Sequence, residues 1–385
     1  DPEMSRGLGD VYKRQIKELL SIFHLQIDLP GLNWAIPVGI SFFTFQAYGY
    51  LMEVYYKKIE PEHNLLNYIL FISFFPQIAS GPISKGVNLL PQIKAGRTFD
   101  STKIIEGMKL MLWGMFMKVV LADRIAIYAN TVLDNYEFQN GISCFIASFC
   151  YTIQIYGDFA GYSLLAIGCG KIMGFDLPNN FNRPYFAATI TEFWRRWHIS
   201  LTQWLTSYVY IPLGGNRCSK TRCYMNIFIT FLISGLWHGA NWTFIFWGWI
   251  HGMFQVIEKI TGLNSTPKNK WEKFFRISLT FLIINFAWIA FRMPTIADTF
   301  AIYSKIFNNF NGPLFLPGDK TTIVFIIFAL LLLLFKEVTD EYFTDSFKIM
   351  NSNYTVVRWI GYVSMIVIIM LLGVFDAGQF IYVSF

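Results

Sequence analysis

Gly235-Leu-Trp-His-Gly-Ala-Asn-Trp242 sets a titratable ring, His238, between the apolar runs 224–237 and 242–256. A second histidine, His198, lies 40 residues upstream in Phe193-Trp-Arg-Arg-Trp-His-Ile-Ser200. Ionisable side chains are costly inside a bilayer, so an intramembrane histidine marks a functional site by default. Two of them in Trp-rich surroundings point to one catalytic centre built within a membrane.

Composition agrees with a membrane setting. Of the 385 residues, 54% are hydrophobic and 15% charged, against roughly 25% charged in a soluble domain. The 39 Phe, 20 Tyr and 12 Trp suit lipid contact and interfacial belts. The net charge is +6, and its basic residues cluster in short loops. That is the bias of cytoplasmic loops, and no basic stripe suited to nucleic acid is present. The five cysteines lack the paired spacing of a zinc site. Cys144, Cys150 and Cys169 lie in apolar segments, where a free cysteine is a small hydrophobe. No disulfide framework is expected, and Cys218 and Cys223 carry no assignment. No metal motif, Gly-rich nucleotide loop or Gly-x-Ser-x-Gly elbow appears, so no bound metal or cofactor is expected. Gly214-Gly215 reads as a turn after Ile211-Pro212.

A membrane-spanning helix needs about 20 mostly apolar residues. Candidate segments are 32–55, 65–80, 104–120, 142–173, 224–237, 242–256, 274–291, 322–335 and 356–375. The 142–173 run is long enough for one helix or two pieces. Several others fall short of a full span, as re-entrant segments do when their irregular backbone is buried in protein. The fold class is therefore all-α, a polytopic membrane bundle with re-entrant segments. Polar connectors fill 57–64, 84–103, 216–222, 259–273 and 336–354, with no linker, repeat or soluble domain.

Loop charges orient the centre. Arg217, Lys220 and Arg222 precede the His238 segment, and Lys259, Lys268, Lys270, Lys273 and Arg276 follow it. The positive-inside rule puts both ends in the cytoplasm, with the turn around residues 238–241. The 16 residues from Arg222 to His238 rise about 24 Å as a helix, deep into the bilayer core. Residues 1–15 are polar, and Asp10-Val-Tyr-Lys-Arg-Gln15 resembles the translation of a sequencing-library adapter. They are set apart as an artefact or a disordered tail.

A series of motifs runs in order along the chain. They are Gly39-Ile-Ser-Phe-Phe-Thr-Phe-Gln46, Ser73-Phe-Phe-Pro-Gln77 with Gly81-Pro82, Asp158-Phe-Ala-Gly-Tyr-Ser163 and Asn180-Phe-Asn-Arg-Pro-Tyr185. Phe193-Trp-Arg-Arg-Trp-His-Ile-Ser-Leu201, Tyr210-Ile-Pro-Leu-Gly-Gly-Asn-Arg217 and Gly235-Leu-Trp-His-Gly-Ala-Asn-Trp242 follow, and Phe380-Ile-Tyr-Val-Ser-Phe385 ends the chain. Their order and joint presence resemble the membrane-bound O-acyltransferase (MBOAT) family, in its alginate O-acetylase-like bacterial branch. The resemblance covers nearly everything from Pro37 onward. It implies one domain over residues 16–385 around a central tunnel, with family helices that precede the Gly39 motif missing.

The resemblance implies acyl transfer by a multi-pass protein of the bacterial cytoplasmic membrane. Acetyl-CoA is the implied thioester donor, and the implied acceptor is an extracytoplasmic polysaccharide or a partner protein that hands the acetyl group on. Membrane lipids surround the bundle. His238 matches the family histidine and is assigned as general base toward an acceptor hydroxyl, a role open to neutral imidazole. His198 falls where the family places its second polar catalytic residue. It either polarises the carbonyl, orients the acceptor, or is an interfacial residue bonding a carbonyl. Trp237 would line the substrate tunnel. Arg195 and Arg196 either bind donor phosphates or anchor their helix at the headgroups. Asn241 either orients His238 or the acyl carbonyl, or turns the chain. Asp158 either serves substrate or pairs structurally. His251 reads as a capping or packing residue, and His24 and His63 as surface residues. Two other readings stay open. One is D-alanyl transfer toward teichoic acid. The other is a proton-coupled transporter, although the paired broken helices of a transporter are not apparent.

Overall fold

The computed structural model describes residues 39–78, 81–239, 241–317, 319–343 and 349–375. The 1–15 tail, His24, the start of the 32–55 segment and the terminal Phe380–Phe385 motif lie outside them. Among the described residues the regular structure is entirely helical.

Most helix starts are written in the sequence as a capping side chain. Asn64 accepts from Leu66 N at 2.9 Å and opens α2 (Leu65–Ile72), which follows α1 (Ile40–Tyr55). The 65–80 segment then breaks at Ser73-Phe74 into a short α3 (Phe75–Ile78). An amphipathic α4 (Gly86–Lys94), inside the stretch read as connector 84–103, buries Leu89 and Leu90. Asp100 accepts from Thr102 N at 2.9 Å and starts α5 (Ser101–Met115). A π-helical stretch, Phe116–Ala122, carries α5 into α6 (Asp123–Leu133), so the 104–120 segment does not end where its apolar run ends.

The centre of the bundle is α7 (Gly141–Ile172), capped by Asn140 on Ser143 N at 3.0 Å. It is one unbroken helix of 32 residues, about 48 Å long, so the two-piece option for 142–173 is excluded. Its middle, from Tyr151 to Gly161, is buried on all sides, because α5, α6 and the π-helical stretch pack against it. Small residues make that contact close. A Cβ at Gly107 would sit 2.6 Å from the carbonyl oxygen of Gly168, and one at Gly114 would sit 2.7 Å from that of Gly161. Small residues at facing positions let membrane helices approach backbone to backbone.

Two short helices follow, α8 (Ile190–Arg196) and α9 (Ile199–Leu205), the second running into a π-helical turn at Thr206–Tyr210. Gly214 and Gly215 both have positive φ, which forms the expected turn after Ile211-Pro212. A helical hairpin comes next: α10 (Lys220–His238) and α11 (Trp242–Thr261). The chain reverses between His238 and Trp242, the place assigned from loop charge. A Cβ at Gly235 would strike the carbonyl of Phe244, and one at Gly248 that of Phe231, so these two helices also touch at backbone distance.

The remaining helices are α12 (Lys270–Arg292), α13 (Ile296–Asn308), α14 (Lys320–Tyr342) and α15 (Thr355–Leu372). Among the described residues α12, α14 and α15 are long and apolar enough to cross a membrane. Of these α15 is the most peripheral: only Ile369 is buried, and Val356, Ile360, Val363, Val367 and Met370 are exposed. An apolar surface on all sides of a helix is what lipid contact requires.

Candidate active site

His198 interrupts two helices. It sits between α8 and α9 with φ 42° and ψ 53°, a left-handed conformation uncommon for a residue with a side chain. Such a backbone persists only when its surroundings over-determine it. Here the strand of chain beside it does so. Asn182 N donates to Arg196 O at 2.9 Å, and Ile199 N donates to Asn180 O at 2.9 Å. The side chain of Asn180 completes the grip. Its Oδ1 accepts from Ser200 N at 3.2 Å and from Ser200 Oγ at 2.8 Å, and it lies 3.2 Å from His198 Nδ1. Ser200 Oγ in turn accepts from Ile83 N at 3.0 Å. Gln77 Nε2 donates to Pro82 O at 2.8 Å. The chain just after residues 77–82 and the motifs at 180–185 and 193–201 thus meet at Ser200, beside the histidine.

His198 is 1% exposed, and Phe159 covers it edge-on at 4.7 Å between ring centroids. The ring nitrogen away from Asn180, Nε2, has no partner among the described residues.

His238 ends α10 and faces rings. Trp237 lies at 4.7 Å, Trp247 and Phe291 each at 5.1 Å, and Phe244 at 6.3 Å. These come from α10, α11 and α12, so three helices close around one imidazole. The two histidines are joined by Trp237, whose ring also lies 6.1 Å from His198. Phe45 of α1 stacks on Trp237 at 5.3 Å and 21° and on Trp204 at 3.8 Å and 5°. The indole Nε1 of Trp237 is buried without a hydrogen-bond partner. A pair of histidines, 40 apart in sequence, thus packs against one indole whose N–H is unspent.

The other residues singled out in the sequence fall into three places. Arg195 is exposed and lines a cavity of about 460 Å³ with Lys259, Thr191, Thr202, Gln255 and Asn264. It has no ion pair among the described residues. Arg196 is the reverse: its guanidinium is 3.0 Å from both carboxylate oxygens of Glu341 and 2.7 Å from Glu192, and Arg183 joins the same Glu341 at 2.7 Å. Asn241 caps α11, accepting from Thr243 N at 3.2 Å, and donates to Pro294 O at 2.8 Å.

Asp158 sits on the buried part of α7, and Lys118 from the π-helical stretch reaches it at 2.6 Å while also reaching Asp123 at 2.7 Å. His251 lies mid-helix in α11, fully buried, and its Nδ1 accepts from the indole of Trp194 at 3.3 Å. His63 is exposed. Cys218 and Cys223 are free, with their sulfurs 3.0 Å apart.

Asn180 is the functional candidate that sequence reasoning passed over. It stands first in the motif Asn180-Phe-Asn-Arg-Pro-Tyr185, but nothing local marks it, because its partners lie 18 and 20 residues away. It also lines a polar cavity of about 200 Å³ with Tyr156, Ser163, Arg183 and Glu337. Among the described residues no cluster of His, Cys, Asp and Glu has the makings of a metal site.

Comparison with known proteins places the chain. The model of the MBOAT, membrane-bound O-acyltransferase family, matches residues 2–297. The chain is 40% identical over 299 residues to "Probable alginate O-acetylase AlgI" of Pseudomonas aeruginosa, covering 76% of this chain and 55% of that protein. It is 36% identical to "Peptidoglycan O-acetyltransferase" of Helicobacter pylori, over 70% of this chain and 56% of that protein. It is 29% identical to "Teichoic acid D-alanyltransferase" of Streptococcus thermophilus, over 66% of this chain and 68% of that protein. The chain spans about half the length of the alginate O-acetylase relatives it matches. Helices throughout, apolar spans and a family match over most of the length agree: the chain belongs to the membrane-bound O-acyltransferase family.

Proposed function

We propose that this protein is an O-acyltransferase of the bacterial cytoplasmic membrane. It takes an acetyl group from a cytoplasmic thioester, acetyl-CoA, and passes it toward an extracytoplasmic polysaccharide through a partner protein. The observation that carries this reading is that His198 and His238 both pack against the ring of Trp237, in a buried aromatic setting.

The chemistry follows from the groups present. His238 takes the proton of an acceptor hydroxyl as the oxygen attacks the thioester carbonyl. A tetrahedral oxyanion forms, then collapses and expels the thiolate, which takes up the proton held by His238 and returns the ring to its neutral form. A buried N–H directed at the developing oxyanion is worth about 10²–10³ in rate in other acyl-transfer enzymes. The unpartnered indole N–H of Trp237 suits that task. Arg195 and Lys259, on the rim of the 460 Å³ cavity, suit the phosphates of a donor. Arg196 is held by Glu341 and Glu192 and serves to anchor α8. Asn241 holds the turn beside His238, and Asp158 holds α7 to the π-helical stretch.

A second reading, transfer of D-alanine from a carrier protein toward teichoic acid, draws on the Streptococcus thermophilus relative. The test is transfer of labelled acetyl from acetyl-CoA by membranes containing the protein. Label reaching an extracytoplasmic acceptor supports acetylation, and its loss in His238→Ala supports the histidine base. Transfer only from a D-alanyl carrier protein favours the second reading.

A further inference from the structure

Two nitrogens of one ring separate two roles for His198, and the hydrogen bonds around Asn180 choose between them. Ser200 N is a backbone donor and can only donate. The Asn180 atom it meets at 3.2 Å is therefore the amide oxygen, not the amide nitrogen. That oxygen also receives the Ser200 hydroxyl at 2.8 Å, which leaves the hydroxyl lone pair to accept Ile83 N at 3.0 Å. The direction of the chain Ile83 to Ser200 to Asn180 is thus fixed by backbone donors at Ile83 and Ser200. An amide oxygen cannot donate, so the hydrogen between it and His198 Nδ1, 3.2 Å away, belongs to the histidine. His198 is 1% exposed and no carboxylate bonds its ring among the described residues, so a second proton would be a costly buried charge. Nε2 therefore carries a lone pair, and it has no partner.

We propose that Asn180 is a positioning residue that pins the proton of His198 on Nδ1 and makes Nε2 the acceptor for a hydroxyl of the acceptor substrate beside the one whose proton His238 takes. The proposal rests on the reading of His198 as an active-site residue. It removes one of that residue's two candidate substrate roles, because a neutral His198 has no N–H left to polarise a thioester carbonyl. The donor to that carbonyl is then another group, with Trp237 Nε1 the adjacent unpartnered one. Asn180 acts through the ring and through the backbone together, since its own carbonyl holds Ile199 N at 2.9 Å and with it the left-handed turn at His198.

The test is the ring-nitrogen NMR spectrum of ¹⁵N-histidine-labelled protein in detergent, with five histidines to resolve. The signal pair absent from His198→Gln identifies His198. It is expected to show a protonated Nδ1 and a bare Nε2. Asn180→Leu, which cannot accept, is expected to mix or reverse that pattern. In this variant kcat falls about 10²-fold while the donor KM stays within about twofold. Asn180→Asp and Ser200→Ala both keep an acceptor oxygen at Nδ1 and are expected to keep the Nδ1–H form and most of the activity. A protonated Nε2 in the unsubstituted protein overturns the proposal. So does an Nδ1–H pattern that survives Asn180→Leu, or one that is lost in Asn180→Asp. If Asn180→Leu does not accumulate, the unsubstituted protein, Asn180→Asp and Ser200→Ala decide it by the same criteria. Full transfer activity in His198→Gln, with the tautomer as stated, instead overturns the active-site reading of His198 and leaves Asn180's control of the ring standing.

Discussion

The surroundings of His238 are rings: Trp237 at 4.7 Å, with Trp247 and Phe291 at 5.1 Å. His198, against the same Trp237, is gripped by an amide oxygen 3.2 Å away, which is itself held by two groups of Ser200. Aromatic walls exclude water and fix the place of an imidazole. An amide oxygen also dictates which ring nitrogen holds the proton. Two histidines in one centre are thus built to different specifications. One sits at the turn of a helical hairpin among aromatic rings. The other is locked into one tautomer at a strained break between helices, suited to orienting a substrate.

The sharpest way to break this comparison is at the ring-walled histidine. His238→Ala is expected to lower acetyl transfer by about 10²–10⁴, the usual worth of a general base, while the protein still inserts and accumulates. Near-normal acetylation of the surface polysaccharide in that variant would end the assignment.

The next test lies on the shared ring. Trp237→Phe keeps an aromatic face for Phe45, His198 and His238 and deletes the buried N–H together with one ring of the indole. If that N–H meets the oxyanion, kcat drops about 10²-fold or more with little change in donor KM. A variant that keeps its kcat assigns Trp237 to packing alone.

A smaller effect separates the neighbouring arginines. Arg195→Gln is expected to raise donor KM about tenfold, the loss of one charge-assisted contact, with abundance unchanged. Arg196→Gln breaks the pairs to Glu341 and Glu192 and is expected to lower abundance with donor KM unchanged. Donor titrations at matched protein levels read both, and the same KM in both variants would dissolve the distinction.

The smallest effect concerns the hairpin that presents His238. Gly248→Ala forces a methyl toward the carbonyl of Phe231 and is expected to cost about 1–3 kcal/mol of stability. Thermal unfolding in detergent measures it, and an unchanged midpoint would show that the two helices have room to separate.

The sequence announced these two regions unequally. The His238 hairpin was legible from apolar runs and loop charge, because a helix that must bury its length shows it in composition. Its start was less so. The apolar run begins at Tyr224, whereas α10 begins at Lys220, where Ser219 caps a polar first turn. Helix α4 hid inside a connector because it buries little beyond Leu89 and Leu90. The unbroken course of α7 could not be read, since a run with Gly157 and Gly161 near its middle serves equally for one helix or two. The His198 region was marked as a motif, but its mechanism was not. What holds that ring is an amide brought from Asn180 and a hydroxyl that also serves Ile83, and such partnerships are made by the fold across distant stretches of chain. Adjacent residues were the hardest to separate. Arg195 and Arg196 read alike in the sequence, and they point to different surroundings because a helix turns about 100° between neighbours.

That same rotation gives the π-helical stretch Phe116–Ala122 a consequence for how the gene can change. A wider turn spends an extra residue, so α6 is rotated relative to where a regular helix continuing α5 would put it. Lys118 lies in this stretch and meets Asp158 and Asp123, so the offset sets which face of the chain downstream meets α7. Tightening this turn into a regular helix without removing a residue would swing every later contact by about 100°. Homologous chains should therefore keep the wide turn wherever they keep the number of residues between 116 and 122, six of which are buried here, and a one-residue gap in that stretch should accompany a regular helix.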